Sequence, residues 1–219
     1  MSYDYEQWKA RVASRADITG MLTHLTKPAP DVETKGMDDS KIAVSATANL
    51  IKILKEARIK GSTTDKGFII GKRPAVCFQE LPHSGLIQNV EHESLRRKQN
   101  PDERIRYCGV GLCFSKAYIY RKGGRPVIYD KTSMLKRVLP STDHWRIVNF
   151  DLSNDKNIID WTHEREWRLP DDLTFMLNTP SRPHIVLYDK ACWDYFVEHS
   201  TKEVLEGIHA VTVLKSILM

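Results

Sequence analysis

The sequence predicts an α+β protein with a mainly antiparallel, twisted sheet and flanking helices. Strand-like segments outnumber helical ones through the middle of the chain. Turns carrying Gly and Pro join them as hairpins, where a doubly wound sheet would need helical crossovers. The composition, 41% hydrophobic and 28% charged over 219 residues, is ordinary for a chain that buries a core.

The elements follow in chain order. Residues 5–15 read as an amphipathic helix, with Trp8 and Val12 four apart. Asp17 suits a turn before the strand-like residues 20–25 (GMLTHL), and residues 27–40 (KPAPDVETKGMDDS) read as a loop. Residues 45–59 form the clearest helix: Ala48, Ile51, Leu54 and Ala57 keep a period near 3.6, and Gly61 stands where a C-terminal cap would. Residues 74–78 (PAVCF) read as a buried strand, and residues 83–106 as a polar loop with some helix. Residues 109–120 and 125–129 (RPVIY) are rich in β-formers and flank Lys122-Gly123-Gly124, which predicts a hairpin. Residues 145–152 and 164–169 read as further strands. Residues 184–188 begin a strand–helix unit running to residue 199, and residues 210–214 form a last strand.

The length fits one domain over residues 1–219. Within it, residues 1–16 form an N-terminal helix, residues 21–170 a core and residues 171–219 a strand–helix–strand extension. No run of 18 apolar residues predicts a membrane span, and the charged, amphipathic N-terminus lacks the apolar stretch of a secretory signal, so a cytoplasmic location is expected. Cys77, Cys108, Cys113 and Cys192 contain no CxxC pair. Core thiols are expected, with no metal site or disulfide framework. The net charge of +5 is mild for a dedicated DNA binder. Its local maximum is Arg96-Arg97-Lys98 followed by Arg104 and Arg106, with Asp102 and Glu103 between. This reads first as a solvated loop and second as a patch for phosphates.

The densest chemistry lies in residues 161–168 (WTHEREWR). On a strand, Glu164, Glu166 and Arg168 would share one face, and His163, Arg165 and Trp167 the other. Two carboxylates side by side raise one pKa, and a neighbouring arginine lowers it again. The box therefore suits an acid/base or cation-stabilising site, and equally a salt-bridge ladder. His24 sits between Thr23 and Thr26, as a packing residue or a functional one. The turn Arg121-Lys122-Gly123-Gly124-Arg125 offers cations and open amides to a phosphate, and is also what an ordinary hairpin turn looks like. His83, after Pro82, is expected in an exposed loop. No HExxH, nucleophile elbow, Walker or EF-hand motif is present.

In their order, the pieces His24–Thr26, NLIKILKEARIKGS (49–62), PAVCFQELP (74–82), GVGLCFSKAYIYRKGGRPVIY (109–129) and WTHEREWR resemble the AbiGi-type abortive-infection proteins and related bacterial families that end in a Trp-x-x-Glu-x-Glu-aromatic-Arg box. The resemblance spans residues 21–170 and implies a role in phage defence or a toxin–antitoxin pair. More distantly, the order of a Thr-His strand, a helix, an aromatic strand and a late Glu is similar to ADP-ribosyltransferases of the DarT type. That similarity implies NAD as substrate and a nucleic acid or protein as ADP-ribose acceptor. It implies Glu166 as the catalytic acid, Glu164 orienting the acceptor, and His24 binding NAD with Thr26 and Ser115 nearby. Tyr118 or Tyr120 would then stack on nicotinamide. Arg96, Arg97, Lys98, Arg121 and Arg125 are the candidate nucleic-acid contacts. The competing readings are a non-enzymatic antitoxin or sensor module that binds a partner protein, and a nucleic-acid-processing enzyme using His24, His83 and the 96–106 segment.

Overall fold

The computed structural model describes residues 3–65, 69–100 and 104–218. Asp102 and Glu103 lie outside them.

The architecture is α+β with a mixed, mainly antiparallel sheet. Its strands are β1 (Met21–Leu25), β2 (Arg58–Ile59), β3 (Ala75–Gln79), β4 (Gly111–Ser115), β5 (Arg125–Pro126), β6 (Ile128–Asp130), β7 (Ile147–Asn149), β8 (Glu166–Pro170), β9 (Leu173–Thr174), β10 (His184–Leu187) and β11 (Val211–Val213). The helices are α1 (Tyr5–Ala13), α2 (Asp39–Glu56), α3 (His83–Gln99), α4 (Lys116–Arg121), α5 (Thr132–Val138), α6 (Lys190–His199) and α7 (Lys202–Gly207). Seven strands form the main sheet in the order β11-β10-β4-β1-β3-β8-β5, and β2-β9 and β6-β7 form two small ladders. Among the described residues only β10-β11 is parallel within the main sheet, and α6 and α7 supply the crossover that a parallel pair requires.

The longest helix begins earlier than its periodicity suggested, because Asp38 caps it by accepting the Lys41 N–H at 2.8 Å. It also ends earlier. Ala57 takes the left-handed cap conformation (φ 47°), and Arg58–Ile59 peel away into β2. Gly61 is not the cap. It is a close-approach position, where a Cβ would meet the Asp171 carbonyl at 2.3 Å.

Leu22, Val76, Phe78, Leu112 and Phe114 of the sheet bury against Ala43, Ala46, Leu50 and Leu54 of α2. Each large side chain removed from water contributes about 1.5–3 kcal/mol. Residues 184–213 add two strands to this sheet, and Cys192 and Phe196 of α6 join the same core.

Three expectations change. The predicted 109–129 hairpin does not form: the chain leaves β4 at Ser115 into α4, whose Ile119 is buried, and β5 pairs with β8 while β6 pairs with β7. Aromatic and β-branched content favoured a strand there, but burial of Ile119 and the bond from Gly124 N–H to the Ile119 carbonyl (2.9 Å) favour a helical turn. The predicted 83–106 loop is mostly α3. Its buried stripe of Leu86, Ile87 and Val90 continues into Glu93 and Ser94, polar residues that hid the helical face. Of the predicted 145–152 strand only Ile147–Asn149 is extended, because residues 141–146 form a 3-10 turn that buries Trp145.

Candidate functional site

The main sheet is nearly split down its middle. β1 and β4 pair through five registered positions, and β3 and β8 through five more. Between β1 and β3, however, only Thr23 and Gln79 are ladder partners among the described residues, and the next residues are joined through the His24 side chain instead of the backbone. A cleft of about 640 Å³ opens there, lined by three consecutive residues of each strand: Thr23, His24 and Leu25, and Cys77, Phe78 and Gln79. Consecutive lining residues mean that the cleft meets the strand edges, since one face of a strand would contribute only alternate residues.

His24 bridges the gap. Its Nδ1 lies 2.9 Å from the Cys77 carbonyl, which can only accept, so the ring donates there and Nε2 is left as an acceptor. Burial lowers the His24 pKa, which favours the neutral ring. The close approach of β4 that supports β1 needs Gly111, where a Cβ would meet the His24 carbonyl at 2.1 Å.

The opposite wall comes from β8 and the turn before it. The strand begins only at Glu166. Residues 162–164 form a 3-10 turn, and Arg165 in the left-handed region (φ 46°) redirects the chain. Glu164, Glu166 and Arg168 nevertheless all line the cleft, so the grouping expected from strand alternation survives although its geometry differs. Arg168 is 2% exposed. Its Nε and Nη2 donate to the two Glu166 carboxylate oxygens at 2.8 and 3.1 Å, while Nη1 donates to the carbonyls of Trp145 (2.8 Å) and Ile147 (3.0 Å). Glu166 therefore presents a fixed negative charge, its backbone held by the N–H bond to the Tyr129 hydroxyl at 2.8 Å.

Glu164 differs. Burial first, and then the charge of Glu166, push its pKa up to about 7, against the lowering effect of the Tyr107 hydroxyl that donates to it. It is the carboxyl suited to exchange a proton near neutrality. Burial and Glu166 keep the Cys77 thiol protonated, so it is no ready nucleophile.

Lys27 and Arg104 add positive charge to the lining, and neither has an ion-pair partner among the described residues. Burial in the cleft, and Arg104 close by, lower the Lys27 pKa. Trp161 supplies an aromatic wall, with the Arg106 guanidinium 5.2 Å from its ring centre. Gln79, 7% exposed, stands at the closed end of the split.

Thus the structure brings together His24, Glu164 and Glu166. The other predicted site residues stand elsewhere. Thr26 is buried beside the cleft without lining it. Ser115 is the residue before α4, paired with Met21. Tyr118 stacks on Phe114, and Tyr120 lies on the outer surface under Arg125, because the strand expected to carry these rings is a helix. Arg96, Arg97 and Lys98 end α3, where Arg97 is held by Asp39 and Arg96 lies near Glu93. Arg121 ends α4 and Arg125 begins β5 at one edge of the sheet, whereas α3 packs on residues 214–218, which follow β11 at the other edge. These five cations therefore do not form one patch. His83 is partly buried at the start of α3, its ring 5.5 Å from that of His184, so the expected exposed loop is corrected.

Lys27, Tyr107, Trp161 and Arg104 were not singled out by the sequence as members of one site. Lys27 follows the His24 strand by two residues and Trp161 opens the WTHEREWR box, so proximity to those motifs was the available signal. Tyr107 carried none. Among the described residues, no group of three or more His, Cys, Asp or Glu is arranged to hold a metal, and no helix is long and apolar enough to cross a membrane. No protein-family model, curated protein or solved structure matches the chain.

Proposed function

We propose that the split-sheet cleft binds NAD and that the protein transfers ADP-ribose from it to a nucleic acid or protein, through an ADP-ribosyltransferase-like arrangement. The observation that carries this is the convergence of His24 with Glu164 and Glu166 on one cleft across the split. A volume of about 640 Å³ falls within the usual range for small-ligand sites, roughly 300–1,000 Å³.

The chemistry fits the residues present. Breaking the bond between the ribose C1′ and the nicotinamide nitrogen sends the electron pair to neutral nicotinamide and leaves an oxocarbenium-like sugar. The fixed anion of Glu166 stabilises that cation where it develops. Nε2 of His24 accepts a ribose hydroxyl, Lys27 and Arg104 face the diphosphate, and Trp161 offers the stacking ring that Tyr118 and Tyr120 do not. The acceptor's nucleophilic atom bonds to C1′, and its proton passes to the Glu164 carboxylate. Such an activity would serve the role in bacterial phage defence or a toxin–antitoxin pair that the resemblance to abortive-infection proteins implies.

The test is nicotinamide release from NAD, with thermal stabilisation by NAD as the binding readout. Wild type should show both. Glu164→Gln should lose release and keep binding, and His24→Ala should lose binding. If wild type shows neither, the proposal fails.

One observation favours a second reading. The bidentate, buried Glu166–Arg168 pair with its two carbonyl bonds is also how a purely structural lock would look. In a partner-binding module without catalysis, Glu164→Gln would leave every activity of the protein unchanged, and Arg168→Met would act through stability alone.

A further inference from the structure

Gln79 lines the cleft and is 7% exposed, yet its amide oxygen is buried and accepts no hydrogen bond among the described residues. A buried acceptor without a donor is costly in the free protein, and a ligand that brings an N–H to it recovers that cost. The polar groups around it are already engaged. Thr23, its partner on β1, has its hydroxyl 3.0 Å from the Cys113 sulfur. The Arg168 guanidinium donates to Glu166 and to the carbonyls of Trp145 and Ile147.

Gln79 also stands directly opposite Glu166 in the β3–β8 ladder. The side chains of such a pair leave the sheet on the same face, with Cβ atoms about 5 Å apart. Glu166 is the anion that faces the ribose C1′ in the proposed reaction, and the nicotinamide ring is bonded to that carbon. The carboxamide carried by the ring therefore falls within reach of the residue beside Glu166.

We propose that Gln79 is the specificity-determining residue for the leaving group: its amide oxygen accepts a hydrogen bond from the carboxamide N–H, so that the cleft takes the amide form of the dinucleotide and rejects the acid form. This rests on the NAD reading of the cleft. The acid form has no N–H to give, and it would set a carboxylate beside the fixed charge of Glu166, whose guanidinium partner is committed. A site built to receive a donor leaves its own acceptor unpaired when an analogue lacks that donor, and this is what it discriminates by. The 3-acetylpyridine analogue of NAD isolates the effect, since it keeps both riboses and the same charge but has a methyl group in place of the NH2.

The experiment is isothermal titration calorimetry with NAD, its 3-acetylpyridine analogue and its nicotinic acid analogue, in the Glu164→Gln variant so that none is consumed. NAD should bind roughly 2- to 12-fold more tightly than the acetylpyridine analogue, the worth of one neutral hydrogen bond, and the acid form should bind most weakly. Adding Gln79→Met should weaken NAD by that same factor and leave the acetylpyridine analogue unchanged, so that the two bind alike. A melting curve shows whether the methionine variant folds; if it does not, the ranking of the three ligands with Gln79 in place decides. Equal binding of NAD and the acetylpyridine analogue overturns the proposal, as does an acid form that binds as tightly as NAD, or a methionine variant that weakens both neutral ligands alike. If no dinucleotide binds, the NAD reading falls together with the role of Gln79, whereas NAD binding with a flat ranking overturns the role of Gln79 alone.

Discussion

Replacing Arg168 with methionine should cost the fold about 3–5 kcal/mol. The guanidinium is 2% exposed and satisfies four acceptors, the two Glu166 oxygens and the carbonyls of Trp145 and Ile147. Methionine fills much of its volume but donates nothing. Glu166, itself 7% exposed, is then a buried carboxylate without its cation, and two carbonyls lose their donor. An orphaned buried polar group costs about 1–3 kcal/mol on its own, but these losses share one site and do not add, so the figure for a broken buried pair is the appropriate one. For a chain of this size about 2–4 °C accompanies each kcal/mol, which sets the fall in melting temperature at roughly 6–20 °C. Urea unfolding and thermal melts measure it. The double variant Glu166→Gln/Arg168→Met should recover more than half of the loss, since no bare charge remains. A loss below about 1 kcal/mol for the single variant, or a double variant no more stable than the single one, would refute the lock.

Glu164 sets a pH dependence of stability. Its folded pKa, about 7, is raised above the ordinary 4.5, so the fold favours the neutral form. That contribution is fully present below about pH 4.5 and fades as the pH climbs to about 7, amounting to no more than about 3 kcal/mol after allowance for partial exposure. Glu164→Gln should flatten stability across this window in urea titrations at successive pH values. Tyr107→Phe should move the Glu164 transition to higher pH, because the lost hydroxyl bond lowers the pKa in wild type. Gly111→Ala should lower the melting temperature sharply, since the new methyl would overlap the His24 carbonyl and force β4 off β1. Cys77 should react slowly with a thiol-disulfide reagent at pH 8, its thiol being kept protonated by burial and by Glu166; rapid labelling of the native protein would contradict that assignment.

Much of the fold was readable because short apolar runs fix what must be buried. The strands around His24, at 74–78 and at 184–188, and the long helix all stand close to their expected places. The errors have a common cause. The residues after Ser115 favour a strand by composition, and those after His83 look too polar for a helix, yet burial of Ile119 and pairing of Glu93 and Ser94 decided otherwise. The site was half readable. Glu164, Glu166 and Arg168 were grouped by alternation and are grouped in space, although a turn and a left-handed Arg165 bring this about. Lys27 and Tyr107 join them only through long-range packing.

By itself the sequence determined the α+β class, the buried strands and the box of carboxylates and arginine, because these rest on local patterns of apolarity and charge. Only the tertiary structure decided that β1 and β3 share a single ladder pair among the described residues, so that His24 faces WTHEREWR across a cleft. It also decided that Arg168 fixes Glu166 while Glu164 is left to titrate. Residues 24 and 164 are far apart in the chain, and the energies that separate the two glutamates' roles, burial and the reach of one guanidinium, arise only once the strands are packed together.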